Sequence, residues 1–262
     1  DGKEPKDFGI IGYVPQDDAL HRAALHRANG ETGKIEVAVG VEPGQLSRLT
    51  ADQPSAYVKL HLTDPTRERP LLRTYTIRAQ RPDSVDIDFV RHSDDGPAAR
   101  WAEHAQAGDT IDLSGPGPKK RVDASADWVL LVGDMTALPA VSANLEQLPE
   151  DTRGHAVIEV LDESDIQTLT APAQVDLHWV INPQPGENSD TLYNAVCALD
   201  WLEGRAAIWC ACEFRAMRRL RQYFKQDRDV AREDMYISSY WQHGANEESH
   251  KQAKSDDAER TA

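Results

Sequence analysis

Cysteine is scarce in this chain, with three in 262 residues, Cys197, Cys210 and Cys212. So few, all in the last third, exclude a disulfide framework. Cys210 and Cys212 stand two apart, so in a strand they share a face but make a poor disulfide pair. Reduced thiols in a cytoplasm are the simple expectation. The nine histidines show no zinc-ligand spacing with the cysteines, so no metal site is expected. Long apolar runs are also missing. No stretch approaches the roughly 18–20 residues needed to span a bilayer, so no membrane partner is expected. The charged start, Asp1 to Asp7, has no apolar core behind it, which argues against a secretory signal. It also lacks Met, as in a processed or truncated start. Positive charge is short, with 29 Lys and Arg against 44 Asp and Glu and a formal net charge of −15. That excludes general nucleic-acid binding, which needs a basic footprint. It suits a soluble protein, and a salty habitat would fit.

The length leaves room for two domains and a real core. Residues 1–30 read as a lead-in plus a short helix, Asp18 to Ala28, with Asp17 or Asp18 as N-cap and Gly30 as stop. Strand-like runs follow at Ile35–Val41, Tyr57–Leu62, Leu72–Arg78 and Val85–Arg91, separated by Pro, Gly and Asp turns. After Gly96-Pro97, Ala98 to Ala105 reads as a short helix. Pro is tolerated in a first turn, where free N–H groups can hold phosphate. A last strand within Ala107–Gly117 closes this half, 31–120, as an antiparallel barrel or sandwich.

The second half, 121–244, changes texture. Trp128–Val132 is a continuous apolar run, as in a strand buried on both faces of a parallel sheet. Further strands are expected at His155–Leu161, Val175–Ile181, Ala206–Ala211 and Met235–Tyr240. Helical patterns lie between them, from Leu138 through Leu145 and Leu148, at Thr191–Leu202 and at Glu213–Lys225. This alternation predicts an open, doubly wound α/β sheet. Ligands of such sheets bind beyond the carboxyl ends of the strands. Gly133 and Asp134 after the first strand, and Cys212 and Glu213 after the fourth, are therefore candidates on a nucleotide side. No G-x-G-x-x-G fingerprint accompanies them. Residues 245–262 form a polar, helix-prone tail whose last eight residues are expected to be disordered.

One stretch of the first half gathers cofactor chemistry, Arg73-Thr74-Tyr75-Thr76-Ile77-Arg78. As a strand it sets Arg73, Tyr75 and Ile77 on one face and Thr74, Thr76 and Arg78 on the other. Arg can grip a phosphate with two parallel hydrogen bonds, and Tyr offers both a ring and a hydroxyl. A flat heteroaromatic cofactor with a phosphate tail suits that set, though a plain surface strand can share this composition. In the second half, Arg215, Arg218, Arg219 and Arg221 surround the apolar face of the helix after Glu213, as a solvated face or an anion site.

Five stretches in order carry a resemblance. They are Tyr57–Leu60, Arg73–Arg78, the run Asp86–Val90 continuing through His92 to Gly96-Pro97-Ala98 and Trp101, Gly133–Ala140, and Tyr240–Gly244. Over roughly residues 31–254 the sequence resembles the siderophore-interacting protein family of flavin reductases, allied to the ferredoxin–NADP reductase superfamily. The resemblance implies a six-stranded, FAD-binding β-barrel followed by an NAD(P)H-binding-like α/β domain. It implies that Arg73 pairs with FAD phosphates, that Tyr75 packs against the flavin, and that Thr74 and Thr76 line it. Asp88, Phe89, Val90, His92, Gly96, Pro97, Ala98, Ala99 and Trp101 would complete the cofactor side, with Thr136 near the flavin. Many relatives carry Ser or Thr where Ala99 stands, so here backbone N–H groups must hold the phosphate. Cys212 stands where many have Gly.

The implied activity is transfer of electrons from NADH or NADPH, through FAD, to Fe(III) held in a siderophore, with iron leaving as Fe(II). No acid–base pair is required. The alternatives are a related reductase fed by ferredoxin and a non-enzymatic siderophore- or flavin-binding protein. An anionic ferric siderophore approaching an acidic protein needs local positive charge, for which Lys119, Lys120, Arg215, Arg219, Lys251 and Lys254 are candidates. A monomer is the expected state.

Overall fold

Turn residues punctuate the first half of the chain, and the pieces between them pair as antiparallel strands. The computed structural model describes residues 6–7, 15–16, 20–31, 34–40, 53–63, 68–80, 84–90, 96–105 and 109–261. Two compact units divide at 120/121, Asp1–Lys120 and Arg121–Ala262.

The first unit contains β1 (Lys6–Asp7), β2 (Pro15–Gln16), β3 (Leu20–Glu31), β4 (Lys34–Gly40), β5 (Tyr57–Leu62), β6 (Leu71–Gln80), β7 (Ser84–Val90), α1 (Pro97–His104) and β8 (Thr110–Ser114). β3 pairs with both β4 and β8. The pairs β4–β7, β7–β6, β6–β5 and β5–β8 connect the rest. The order β3-β4-β7-β6-β5-β8 therefore returns to its first strand.

β3 corrects the helix expected over Asp18–Ala28. The Ala, Leu, His and Arg of this segment favour a helix locally, but ladders on both sides hold it extended. Gly30 stops nothing, because it pairs with Ile35 inside the ladder. Asp17, Asp18 and His92 lie outside the described residues.

Alternation sets the core of this unit. Val58, Leu60 and Leu62 of β5 point inward, while Tyr57, Lys59 and His61 between them are half-buried. Val85, Ile87 and Phe89 of β7 join them, with Ile77 of β6 and Ala98 and Ala102 of α1. Burying each of the larger side chains contributes roughly 1.5–3 kcal/mol before conformational entropy opposes it.

The second unit contains β9 (Trp128–Gly133), α2 (Leu138–Leu145), β10 (Arg153–Val160), β11 (Gln174–Ile181), α3 (Asp190–Cys197), β12 (Ala206–Glu213), α4 (Phe214–Gln222), β13 (Met235–Trp241) and α5 (Glu247–Thr261). Its five parallel strands run β11-β10-β9-β12-β13. Every residue of β9 and β12 is buried, which is why both read as apolar runs, unbroken in β12 until Glu213 at its end.

Helix ends differ from the sequence expectations where side chains find better partners outside a helix. α3 stops at Cys197, and Leu199, Trp201 and Leu202 pack onto the core from the following segment. α4 passes at Gln222 into a π-helical turn, Tyr223–Asp227. The tail is a helix to Thr261 rather than disordered over its last eight residues. Asp257 within it is 3 % exposed and pairs with Arg218 and Arg221 of α4, which anchors it.

Candidate functional site

In the first unit the candidate cofactor residues fall on β6, β7 and the start of α1. Arg73, Tyr75 and Thr76 are half-buried, Thr74 is exposed and Ile77 is buried. Arg73 Nη1 donates to the Leu72 carbonyl at 3.0 Å. The Tyr75 ring lies 4.4 Å from that of Phe89, which in turn lies 5.9 Å from Trp101. Phe89 is buried, so it acts by bracing Tyr75 and Trp101, while Asp88 and Val90 beside it are half-buried. Packing on Phe89 restricts the Tyr75 ring without covering it.

α1 begins with Gly96 as its N-cap and Pro97 in its first turn, and no side chain caps it. Its first-turn N–H groups therefore lack the acceptor that a Ser or Asp cap would supply. Ala98 and Ala99 are 5 % and 6 % exposed, so their methyl groups face the core. A half-buried cation, a braced ring, hydroxyls and an uncapped helix start form a donor set that fits a flavin with a phosphate tail.

The second unit places its candidates at the carboxyl ends of the strands. Counted within the unit, the strand order is 3-2-1-4-5. Its direction of winding reverses between β9 and β12, where such sheets open a crevice. Asp134 follows β9 and Glu213 ends β12. At Gly133 a Cβ would sit tightly, 3.0 Å from Ala137 Cβ and 3.1 Å from Val141 Cγ2.

Asp134 Oδ1 accepts from the Thr136 N–H at 2.9 Å and the Thr136 hydroxyl at 2.5 Å. Its Oδ2 accepts from the Trp241 indole at 2.7 Å. Burial pushes its carboxyl above the ordinary range, and these donors oppose the rise. Glu213 caps α4, accepting from the N–H groups of Arg215 at 2.5 Å and Ala216 at 3.3 Å. Its other oxygen accepts from the His243 N–H at 3.2 Å.

Sequence reasoning missed the third carboxylate, Glu159 near the end of β10. It is 5 % exposed and accepts from Asn182 Nδ2 at 2.9 Å. Burial, aided by the charges of Asp134 and Glu213, raises its pKa to about 7. The available signal was a lone acid inside the apolar run His155–Leu161. Trp241 and His243 also carry contacts that the sequence reading left unassigned. Cys212 is fully buried, and its hydrogen bond with Cys210 together with burial raises its thiol pKa well above the ordinary value. It is an unreactive core residue.

Three of the basic candidates have partners within the second unit. Arg219 pairs with Asp190 and stacks 4.0 Å from the Tyr193 ring. Lys251 pairs with Glu247 at 2.9 Å. Lys254 donates to Ser238 Oγ and the Ser239 carbonyl, each at 3.0 Å. Arg215 and Lys120 are exposed and Lys119 is half-buried.

An antiparallel unit bearing such a strand, followed by a parallel sheet with this order, is the layout of a two-domain flavoprotein oxidoreductase. The chain belongs to the siderophore-interacting protein family. The family model for the siderophore-interacting FAD-binding domain matches residues 24–120, and that for the siderophore-interacting protein matches 126–244. An uncharacterised protein of Mycobacterium tuberculosis is 39% identical over 213 residues, covering 76% of this chain and 74% of that protein. The ferric vibriobactin reductase ViuB of Vibrio cholerae is 33% identical over 186 residues, covering 70% and 68%. The solved structure of the siderophore-interacting protein SipS from Aeromonas hydrophila superposes with a TM-score of 0.81 at 30% identity, covering 92% of this chain and 98% of that one.

Proposed function

We propose that this chain is an FAD-dependent ferric-siderophore reductase, drawing on NADH or NADPH and acting as a monomer in the cytoplasm. The observation that carries this reading is β6, which presents Arg73, Tyr75 and Thr76 half-exposed inside the segment matched by the FAD-binding domain. The ferric-reductase relatives supply the substrate class. The returning order of strand pairs supports reading the first unit as a six-stranded barrel.

When bound, FAD takes two electrons together and releases them one at a time, and that chemistry belongs to the cofactor. The chain binds and orients. Arg73 supplies the fixed cation for phosphate. The N–H groups at the start of α1 supply further donors, with Ala99 adding no hydroxyl. Tyr75, braced by Phe89, holds the ring in place. The Thr136 hydroxyl already donates to Asp134, so toward any ligand it can only accept. Siderophore oxygens hold Fe(III) far better than Fe(II), so a single electron loosens the metal. In this reading Asp134, Glu159 and Glu213 fix the strand ends and α4 where the nucleotide docks. Arg219, Lys251 and Lys254 are partly neutralised by their own partners. Exposure alone nominates Lys120 and Arg215, with the half-buried Lys119, for steering an anionic substrate.

The test is the absorption spectrum of the purified, FAD-reconstituted protein, followed by anaerobic mixing with NADH and with NADPH. A bound flavin spectrum bleached by one of these donors is expected. Failure to retain FAD would overturn the reading, and bleaching by reduced ferredoxin alone would replace the donor.

A further inference from the structure

The second unit carries a cluster that the reductase reading does not use. His155 of β10 pairs in register with Asp176 of β11, and His178 lies two residues further along β11. All three therefore share one face of the sheet. Their donor atoms lie within 4.8 Å of one another. His155 Nδ1 is 3.2 Å from His178 Nε2 and 3.8 Å from Asp176 Oδ2. Two nitrogen ligands at ordinary bond lengths from one tetrahedral ion stand roughly 3.3 Å apart. The histidine pair already has that separation.

The outer contacts support the same geometry. His155 is 6 % exposed, and its Nε2 lies 3.2 Å from the Asp200 carbonyl. A carbonyl only accepts, so Nε2 carries the hydrogen and Nδ1 presents its lone pair to the cluster. A carbonyl that fixes the tautomer of a ligating imidazole is a common support of metal sites. Trp128 packs edge-on against the His155 ring, with centroids 6.2 Å apart. His178 is half-buried, and the Asp176 side chain is 74% exposed, so it has room to swing inward.

We propose that His155, His178 and Asp176 form a binding site for a first-row divalent transition-metal ion, with positions left open to solvent on the Asp176 side. Two imidazoles and one carboxylate suit zinc or ferrous iron, and they disfavour magnesium and calcium, which prefer all-oxygen sets. The cluster escaped the sequence search because its ligands come from two neighbouring strands and include no cysteine. The proposal does not depend on the flavin or on the siderophore, so it stands or falls apart from the reductase reading.

The test is equilibrium dialysis of the chelator-treated, FAD-loaded full chain against zinc chloride, with metal measured by atomic emission. The same experiment with ferrous salt under anaerobic conditions separates the two ions. One ion per chain is expected. His178→Gln should weaken binding by about 10- to 100-fold, and Asp176→Asn should weaken it by a smaller factor. Both positions are at least partly exposed, and circular dichroism with flavin content checks that the variants fold. Absence of stoichiometric binding to either ion would overturn the proposal. So would unchanged binding in a folded His178→Gln, Asp176→Asn double variant, because the metal would then sit on other surface histidines.

Discussion

β6 and the ends of β9, β10 and β12 are built in opposite ways. On β6 the chemically useful side chains, Arg73, Tyr75 and Thr76, stay half-exposed along a strand whose fully buried residue is Ile77. At the ends of the parallel strands, Asp134, Glu159 and Glu213 are 4 %, 5 % and 1 % exposed, and each accepts hydrogen bonds from the chain itself. The first arrangement leaves side-chain surface open to solvent, within reach of a ligand. The second spends its capacity on holding a loop, a strand and a helix in place. Buried carboxylates at the ends of strands can thus be scaffold, and exposure tells the two arrangements apart.

The largest expected effect lies on β6. Arg73→Ala with Tyr75→Ala should leave the protein folded but colourless, or losing flavin on dilution, measured as the ratio of flavin to protein absorbance. Full occupancy in that variant would remove β6 as the flavin site. Next comes Asp134→Ala, which leaves the Trp241 indole and the Thr136 amide without their acceptor. It should lower stability by about 3 kcal/mol in denaturant melts. Asp134→Asn should lower it by less, since it keeps an acceptor and removes a buried charge.

Glu159 sharpens the contrast through pH. The folded chain holds its proton more tightly than the unfolded chain does, because its pKa is raised to about 7. Stability should therefore fall as pH rises from the usual carboxyl range through about 7, and this contribution should level off above that. The loss is on the order of 3 kcal/mol. Glu159→Gln should flatten that part of the stability profile, and an unchanged profile would show that the group titrates normally. The smallest effect is expected from Lys119→Ala, Lys120→Ala and Lys251→Ala combined. KM for the ferric siderophore should rise by roughly two- to five-fold at low salt, and the difference should shrink at high salt. Flavin retention should not change.

Most strands were legible because alternation and turn residues mark them locally. β5 matches its expected bounds, and β9 announces itself as an unbroken apolar run. The Leu20–Glu31 strand was not legible, since its composition favours a helix and only the ladders to β4 and β8 decide otherwise. The helix-prone character of the tail was legible, but the order of its last turns to Thr261 escaped, because Asp257 gains its two arginine partners only in the folded unit. Within the candidate site, the Arg73–Thr76 stretch was visible because its residue types state their chemistry. Glu159 was hidden among apolar neighbours, and its raised pKa arises from burial, aided by charges at the ends of β9 and β12. The partners of Arg219, Lys251 and Lys254 were not legible, since a sequence displays their charge but not the acceptors that engage them.

The account rests on electrons passing from a nicotinamide donor to siderophore-bound iron through a flavin held by β6. The direct measurement is anaerobic turnover of the FAD-loaded protein with NADH or NADPH and a ferric siderophore, with Fe(II) trapped by a coloured chelator. Fe(II) should accumulate at a rate that scales with bound flavin and disappears in the Arg73→Ala, Tyr75→Ala variant. A flavin-loaded protein that its donor reduces but that yields no Fe(II) from any ferric siderophore would contradict it.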